Sequence, residues 1–70
     1  MRWGETVGSN VRRWRELRGL TQEQLAAEAD ISMRHMGRIE RGEGNPTVDV
    51  LERLANVLDL KAPHLFDDEI

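Results

Sequence analysis

The side chains with most to offer chemically in this 70-residue chain are its arginines, nine of the ten cationic residues. Arg34 and Arg38 stand one helical turn apart, so their guanidinium groups can point the same way, and Arg41 follows closely. A guanidinium is a rigid, permanently charged fork of donors that matches a phosphate or the paired acceptors on a guanine edge. Its chemistry is anion recognition, and nothing beside it suggests catalysis. The sequence has no Ser/His/Asp constellation and no glycine-rich phosphate loop. His35 and His64 are too far apart for a helical metal pair, and no cysteine is present for a zinc site or a disulfide. Neither an enzyme nor a metal, cofactor or small-molecule ligand is expected.

Charge is distributed unevenly. Residues 1–42 hold eight arginines against six acidic residues, whereas residues 43–70 hold Arg53 and Lys61 against seven. The formal net charge of −3 argues mildly against a nucleic-acid partner, but the local distribution matters more than the total. An acidic C-terminal part favours solubility and discourages loose non-specific binding. The arginines of the first helix, Arg12 and Arg13, read as a solvated face. No apolar run approaches the roughly 18 residues of a membrane span, and Met1–Glu5 contains no apolar core of a signal peptide. A cytoplasmic protein with no membrane contact is expected. At this length residues 1–70 make a single domain whose small core must be efficient. Met1 and the acidic end read as natural termini, although a fragment of a longer chain is an alternative.

The elements that must position the arginines are helices. Val7, Val11, Trp14 and Leu17 recur at steps of four, three and three, one apolar helix face, and Gly19 ends that helix. Trp14 is expected in the core, and Trp3 as a loose staple. Thr21-Gln22-Glu23-Gln24 is a capping box opening a second helix, along which Leu25, Ala26 and Ala29 make a narrow face of mostly small residues. Asp30 takes the turn, since aspartate tolerates the left-handed conformation better than most residues. Ser32 caps a third helix from Met33 to about Glu40, with Met36 and Ile39 inward. The loop Arg41–Pro46 breaks the chain. Thr47 then caps a fourth helix carrying Val50, Leu51, Leu54, Ala55 and Leu58. Leu60, Leu65 and Phe66 form a short last element around Pro63, and residues 67–70 a frayed acidic tail. The fold expected is an all-α, five-helix domain.

The spacing inside 21–40 is more specific than the helices. Counted from Gln22, a small residue at the fifth position (Ala26), a tight turn (Asp30), an apolar plug (Ile31) and two inward residues three apart (Met36, Ile39) satisfy the requirements of a helix-turn-helix. Arg12–Ala26, Arg38–Thr47 and Leu51–Leu58 further resemble the opening, the third-helix exit and the fourth helix of phage repressor/Cro-type (Xre-like) DNA-binding domains. The resemblance covers roughly Val7 to Phe66, and Asp30 departs from the family's usual turn glycine. It implies a compact lambda-repressor-like fold and a sequence-specific transcriptional regulator, most simply a repressor. Such a regulator would bind double-stranded operator DNA as a homodimer through the major groove.

Position by position, the resemblance implies base-edge contacts from Met33, Arg34 and Arg38. It implies phosphate contacts from Gln22, Arg41 and Asn45, and an internal ion pair between Arg15 and Glu40. His35, a surface residue beside these, is a further candidate for a phosphate. Leu58, Leu60, Leu65 and Phe66 are candidate dimer contacts, with closure of the monomer's own core as the alternative for Leu65 and Phe66. The rival function is a protein-interaction module, such as an antitoxin, with secondary DNA binding.

Overall fold

The computed structural model describes residues 3–67. They form four α-helices, α1 (Trp3–Leu17), α2 (Gln22–Ala29), α3 (Met33–Glu40) and α4 (Val48–Val57), then a 3-10 helix over Ala62–Phe66. The architecture is therefore all-α among the described residues, with the fifth element a single 3-10 segment. Of the acidic tail, all but Asp67 lies outside the described residues.

Local chemistry sets both ends of the helices. Thr21, Ser32 and Thr47 each accept a hydrogen bond at the side-chain oxygen from the N–H three residues on, Gln24, His35 and Val50. Gln24 returns the bond to the Thr21 N–H at 2.8 Å, which completes the capping box. At their C-termini, α1, α2 and α4 share one device. Gly19, Asp30 and Asp59 adopt left-handed φ of 72°, 59° and 60°. The N–H of the next residue, Leu20, Ile31 or Leu60, reaches back to the carbonyl of Arg15, Ala26 or Ala55. Each of those three apolar residues then packs on the core.

Val7, Val11, Leu25, Met36, Ile39, Leu54, Leu58 and Leu65 fill the centre. Two details let α1 act as its backbone. Gly8 faces α3 so closely that a Cβ there would stand 2.3 Å from the Ile39 carbonyl oxygen. Asn10, buried, donates from Nδ2 to the carbonyls of Leu65 (2.8 Å) and Asp67 (2.7 Å), fastening the 3-10 helix to α1.

Three expectations about apolar residues need correction. Leu17 is 64% exposed instead of lying on the inner face. By Leu17 the 3.6-residue period has moved off the stripe; its next position is Arg18, an exposed residue that donates from Nε to the Leu58 carbonyl at 2.9 Å. Trp14 is half-buried, packed against the core with the Arg18 guanidinium 5.2 Å from its ring centroid. Its indole N–H is buried with no acceptor among the described residues. Leu58 and Leu65 are fully buried inside the protomer, so they are core residues and not dimer contacts. Leu60 is partly buried and Phe66 is 45% exposed, with its ring centroid 5.8 Å from that of Trp3.

Candidate nucleic-acid interface

α2 and α3 pack on one another around the turn at Asp30 and Ile31. Ala26 is buried on α2, Met36 and Ile39 are buried on α3, and Ile31 packs between them and the rest of the core. With Met36 and Ile39 turned inward, the helical period sends Arg34, Gly37, Arg38 and Arg41 to the opposite side and Met33 to its edge. Met33, Arg34, Arg38 and Arg41 are exposed.

The electrostatics of that face are one-sided. The single acidic residue of α3 is Glu40, whose side chain is 5% exposed and already paired. Arg34 and Arg38 make no hydrogen bond or ion pair with another described residue. The Arg38 guanidinium lies over Gly44, where a Cβ would come 3.4 Å from Nη2. Arg41 is held more loosely than a buried pair would be, with Nε 3.3 Å from Glu43 Oε2 and both side chains more than half exposed. Its Nη1 lies over Gly37, 3.1 Å from where a Cβ would stand. Asn45 is exposed in the loop after α3, whereas His35 is half-buried on the flank of the helix.

Behind this face sits an ionic network. Arg15 donates from Nε to Glu40 Oε2 at 2.6 Å and from Nη2 to Glu40 Oε1 at 3.1 Å, a two-point pair between α1 and the end of α3. Its Nη1 donates to the Leu20 carbonyl at 2.9 Å. The hydrogen bond to Glu40 raises the Arg15 pKa above its ordinary value, against the opposing effect of burial. Gln22 Nε2 also donates to Glu40 Oε1, at 2.9 Å. The first residue of α2 is thereby tied to the last of α3.

The structure thus brings Met33, Arg34, Arg38 and Arg41 onto one face, with Asn45 on the loop that follows. Arg15, Gln22 and Glu40 join in a second cluster, and His35 stands apart from both. Two residues that set this geometry, Gly8 and Asn10, escape a reading of the sequence. Gly8 carries a signal, since a glycine inside a helix costs about 1 kcal/mol relative to alanine and so marks a close approach. Asn10 carries none, because its partners lie more than fifty residues away. Among the described residues there is no cluster of three or more metal-ligating side chains, and no helix is long and apolar enough to cross a membrane.

Residues 11–65 match the helix-turn-helix family. An uncharacterised HTH-type transcriptional regulator of Sinorhizobium fredii is 46% identical over 52 residues, covering 74% of this chain and 68% of that one. The restriction-modification controller protein C.AhdI from Aeromonas hydrophila superposes with a TM-score of 0.85 at 31% identity, over 89% of this chain and 94% of that one. The biofilm master regulator SinR, solved in complex with DNA, superposes with a TM-score of 0.82 at 29% identity, over 87% of this chain and 98% of that one.

Proposed function

The chain belongs to the helix-turn-helix family, of the phage repressor/Cro (Xre-like) type, and from that premise we propose that it is a transcriptional regulator reading operator DNA with α3. The observation that carries the reading is the outer face of α3. Two arginines stand there with no partner among the described residues, on a helix whose one carboxylate is buried and neutralised. Leaving two guanidinium groups unpaired on a surface gains nothing for the fold, and it suits a polyanionic partner.

The division of labour follows from position. α3 enters the major groove with Met33, Arg34 and Arg38 toward base edges, the arginines toward guanine and Met33 toward a thymine methyl. Gln22, Arg41 and Asn45 hold phosphates that set the register, and the half-buried His35 does so at most from the flank. One short helix covers too few base pairs to select an operator, so two copies bind paired half-sites about 34–36 Å apart. Of the four candidate contacts, Leu60 and Phe66 are the two that the core does not enclose, and they serve that homodimer. The regulator acts by occupancy, as a repressor, in the cytoplasm and without enzymatic activity.

Selection of bound duplexes from a random pool by the purified protein tests this. The expected product is a two-fold symmetric site with guanine at defined positions in each half. Recovery of the pool without enrichment would refute it.

A further inference from the structure

Glu40 faces two ways. Its carboxylate receives Arg15 of α1 at both oxygens, and at Oε1 it also receives Gln22 Nε2 of α2. A carboxylate only accepts hydrogen bonds, so it can take only the nitrogen end of the Gln22 amide. Glu40 therefore decides which way that amide is flipped. The amide nitrogen carries two N–H groups, of which this bond uses one. Gln22 is only partly buried, and its second N–H has no acceptor among the described residues. It lies at the start of α2, where the first backbone N–H groups have no intrahelical acceptor and the helix dipole favours an anion.

We propose that Glu40 is a positioning residue for DNA binding: by holding Gln22 Nε2 it aims the second amide N–H of Gln22 at a backbone phosphate. This rests on the reading of the chain as a DNA-binding protein and of Gln22 as a phosphate contact. A glutamine free in solution gives up its rotamer freedom on meeting DNA, whereas this one has given it up on folding. Arg15 has a separate part. It neutralises a carboxylate that would otherwise repel the phosphate. The ion pair inside the fold and the contact outside it are thus one device, with Oε1 of Glu40 as the shared atom.

The test is a set of binding titrations on a duplex carrying the selected site, at one salt concentration. The proteins are wild type, Glu40→Gln and Arg15→Lys, each with and without Gln22→Ala. Both Glu40→Gln and Arg15→Lys weaken the ion pair and should lower the melting temperature. Only the first disturbs the acceptor that orients Gln22: the amide keeps one oxygen, which the charged Arg15 claims at the Oε2 position, and it turns an NH2 group toward Gln22. Gln22→Ala is expected to weaken wild-type binding about tenfold, the scale of a hydrogen bond to a charged group. In the Arg15→Lys background the factor should again be about tenfold, and in Glu40→Gln it should shrink to within about twofold. If Glu40→Gln does not fold, Glu40→Asp takes its place with the same expectation, since it keeps the charge but withdraws the oxygens from Gln22. An equal Gln22→Ala factor in all three backgrounds means that Glu40 is merely structural and overturns the proposal. No loss on Gln22→Ala in wild type overturns the phosphate contact beneath it. Failure of the wild type to bind the duplex overturns the functional reading itself.

Discussion

Gly8→Ala and Gly37→Ala make the same chemical change inside two helices, and they should move stability in opposite directions. In a helix with free surroundings the change gains about 1 kcal/mol, because alanine loses less backbone entropy on folding. At Gly37 the new Cβ would stand 3.1 Å from Arg41 Nη1. That atom is the far end of a flexible, exposed chain that can swing aside. Most of the gain should survive, raising the melting temperature by roughly 4–8 °C for a domain of this size. At Gly8 the new Cβ would meet the Ile39 and Glu40 carbonyl oxygens at 2.3 and 3.0 Å. Both are backbone atoms of α3, so relief requires the two helices to part. To bring the 2.3 Å contact to an ordinary 3.4 Å, they must separate by about 1 Å. Overpacking costs about 1–3 kcal/mol, and a clash with fixed backbone atoms puts this one in the upper part of that range, about 2–3 kcal/mol, which outweighs the propensity gain. A net loss of about 1–2 kcal/mol should lower the melting temperature by roughly 4–16 °C. Thermal unfolding followed by far-UV circular dichroism reads both variants directly. A Gly8→Ala protein that melts at or above wild type would mean that α1 and α3 do not approach as described.

Other substitutions probe the remaining supports. Arg15→Ala and Glu40→Ala should each destabilise by about 2 kcal/mol or more, because each strands a buried charge. The double mutant should cost at least about 1 kcal/mol less than the sum of the two, and simple additivity in urea unfolding would show that the pair is not coupled. Asn10→Ala leaves the Leu65 and Asp67 carbonyls without their donor. It should cost about 1–3 kcal/mol and hasten proteolysis near the 3-10 helix, and unchanged unfolding and cleavage would argue against that fastening. Asp30→Gly relieves a left-handed aspartate whose side chain is 99% exposed, while the Arg53 bond to the residue 30 carbonyl can persist. A gain of about 0.5–1 kcal/mol is expected, and a loss would show that the Asp30 carboxylate contributes more than its exposure allows.

What the sequence revealed is governed by the reach of each interaction. The caps at Thr21, Ser32 and Thr47 are local bonds across three residues, so side-chain type and spacing suffice to read them. The same holds for the inward pair Met36 and Ile39, and for the turn at Asp30. Asp59 performs the same service after α4, yet it sits in no motif that would draw attention to it. The apolar pattern marked Leu58 and Leu65 as residues seeking cover, but periodicity cannot say whether that cover is the protomer or a second copy. The structure supplies it from within, through packing of the 3-10 helix on α1 and α4. Leu17 lies off the inner face because the stripe's next position after Trp14 is Arg18, an exposed residue just past the end of α1. Gly8 and Asn10 depend on partners brought near only by the whole fold: a glycine inside a helix marks a close approach without naming what approaches, and nothing local marks Asn10.

On the proposed reading, Arg34 and Arg38 read bases while Arg41 holds a phosphate. Binding titrations on matched and singly mismatched duplexes, at several salt concentrations, measure this for Arg34→Ala, Arg38→Ala and Arg41→Ala. A bidentate arginine–guanine contact discriminates by about 1–3 kcal/mol. Arg34→Ala and Arg38→Ala should therefore each abolish the preference at one base pair per half-site and leave the others intact. Arg41→Ala should weaken every duplex alike and lower the salt slope by about one unit. If Arg34→Ala and Arg38→Ala instead weaken all duplexes uniformly, with every base preference retained, the two arginines are phosphate clamps and the assignment of α3 as the reading helix is contradicted.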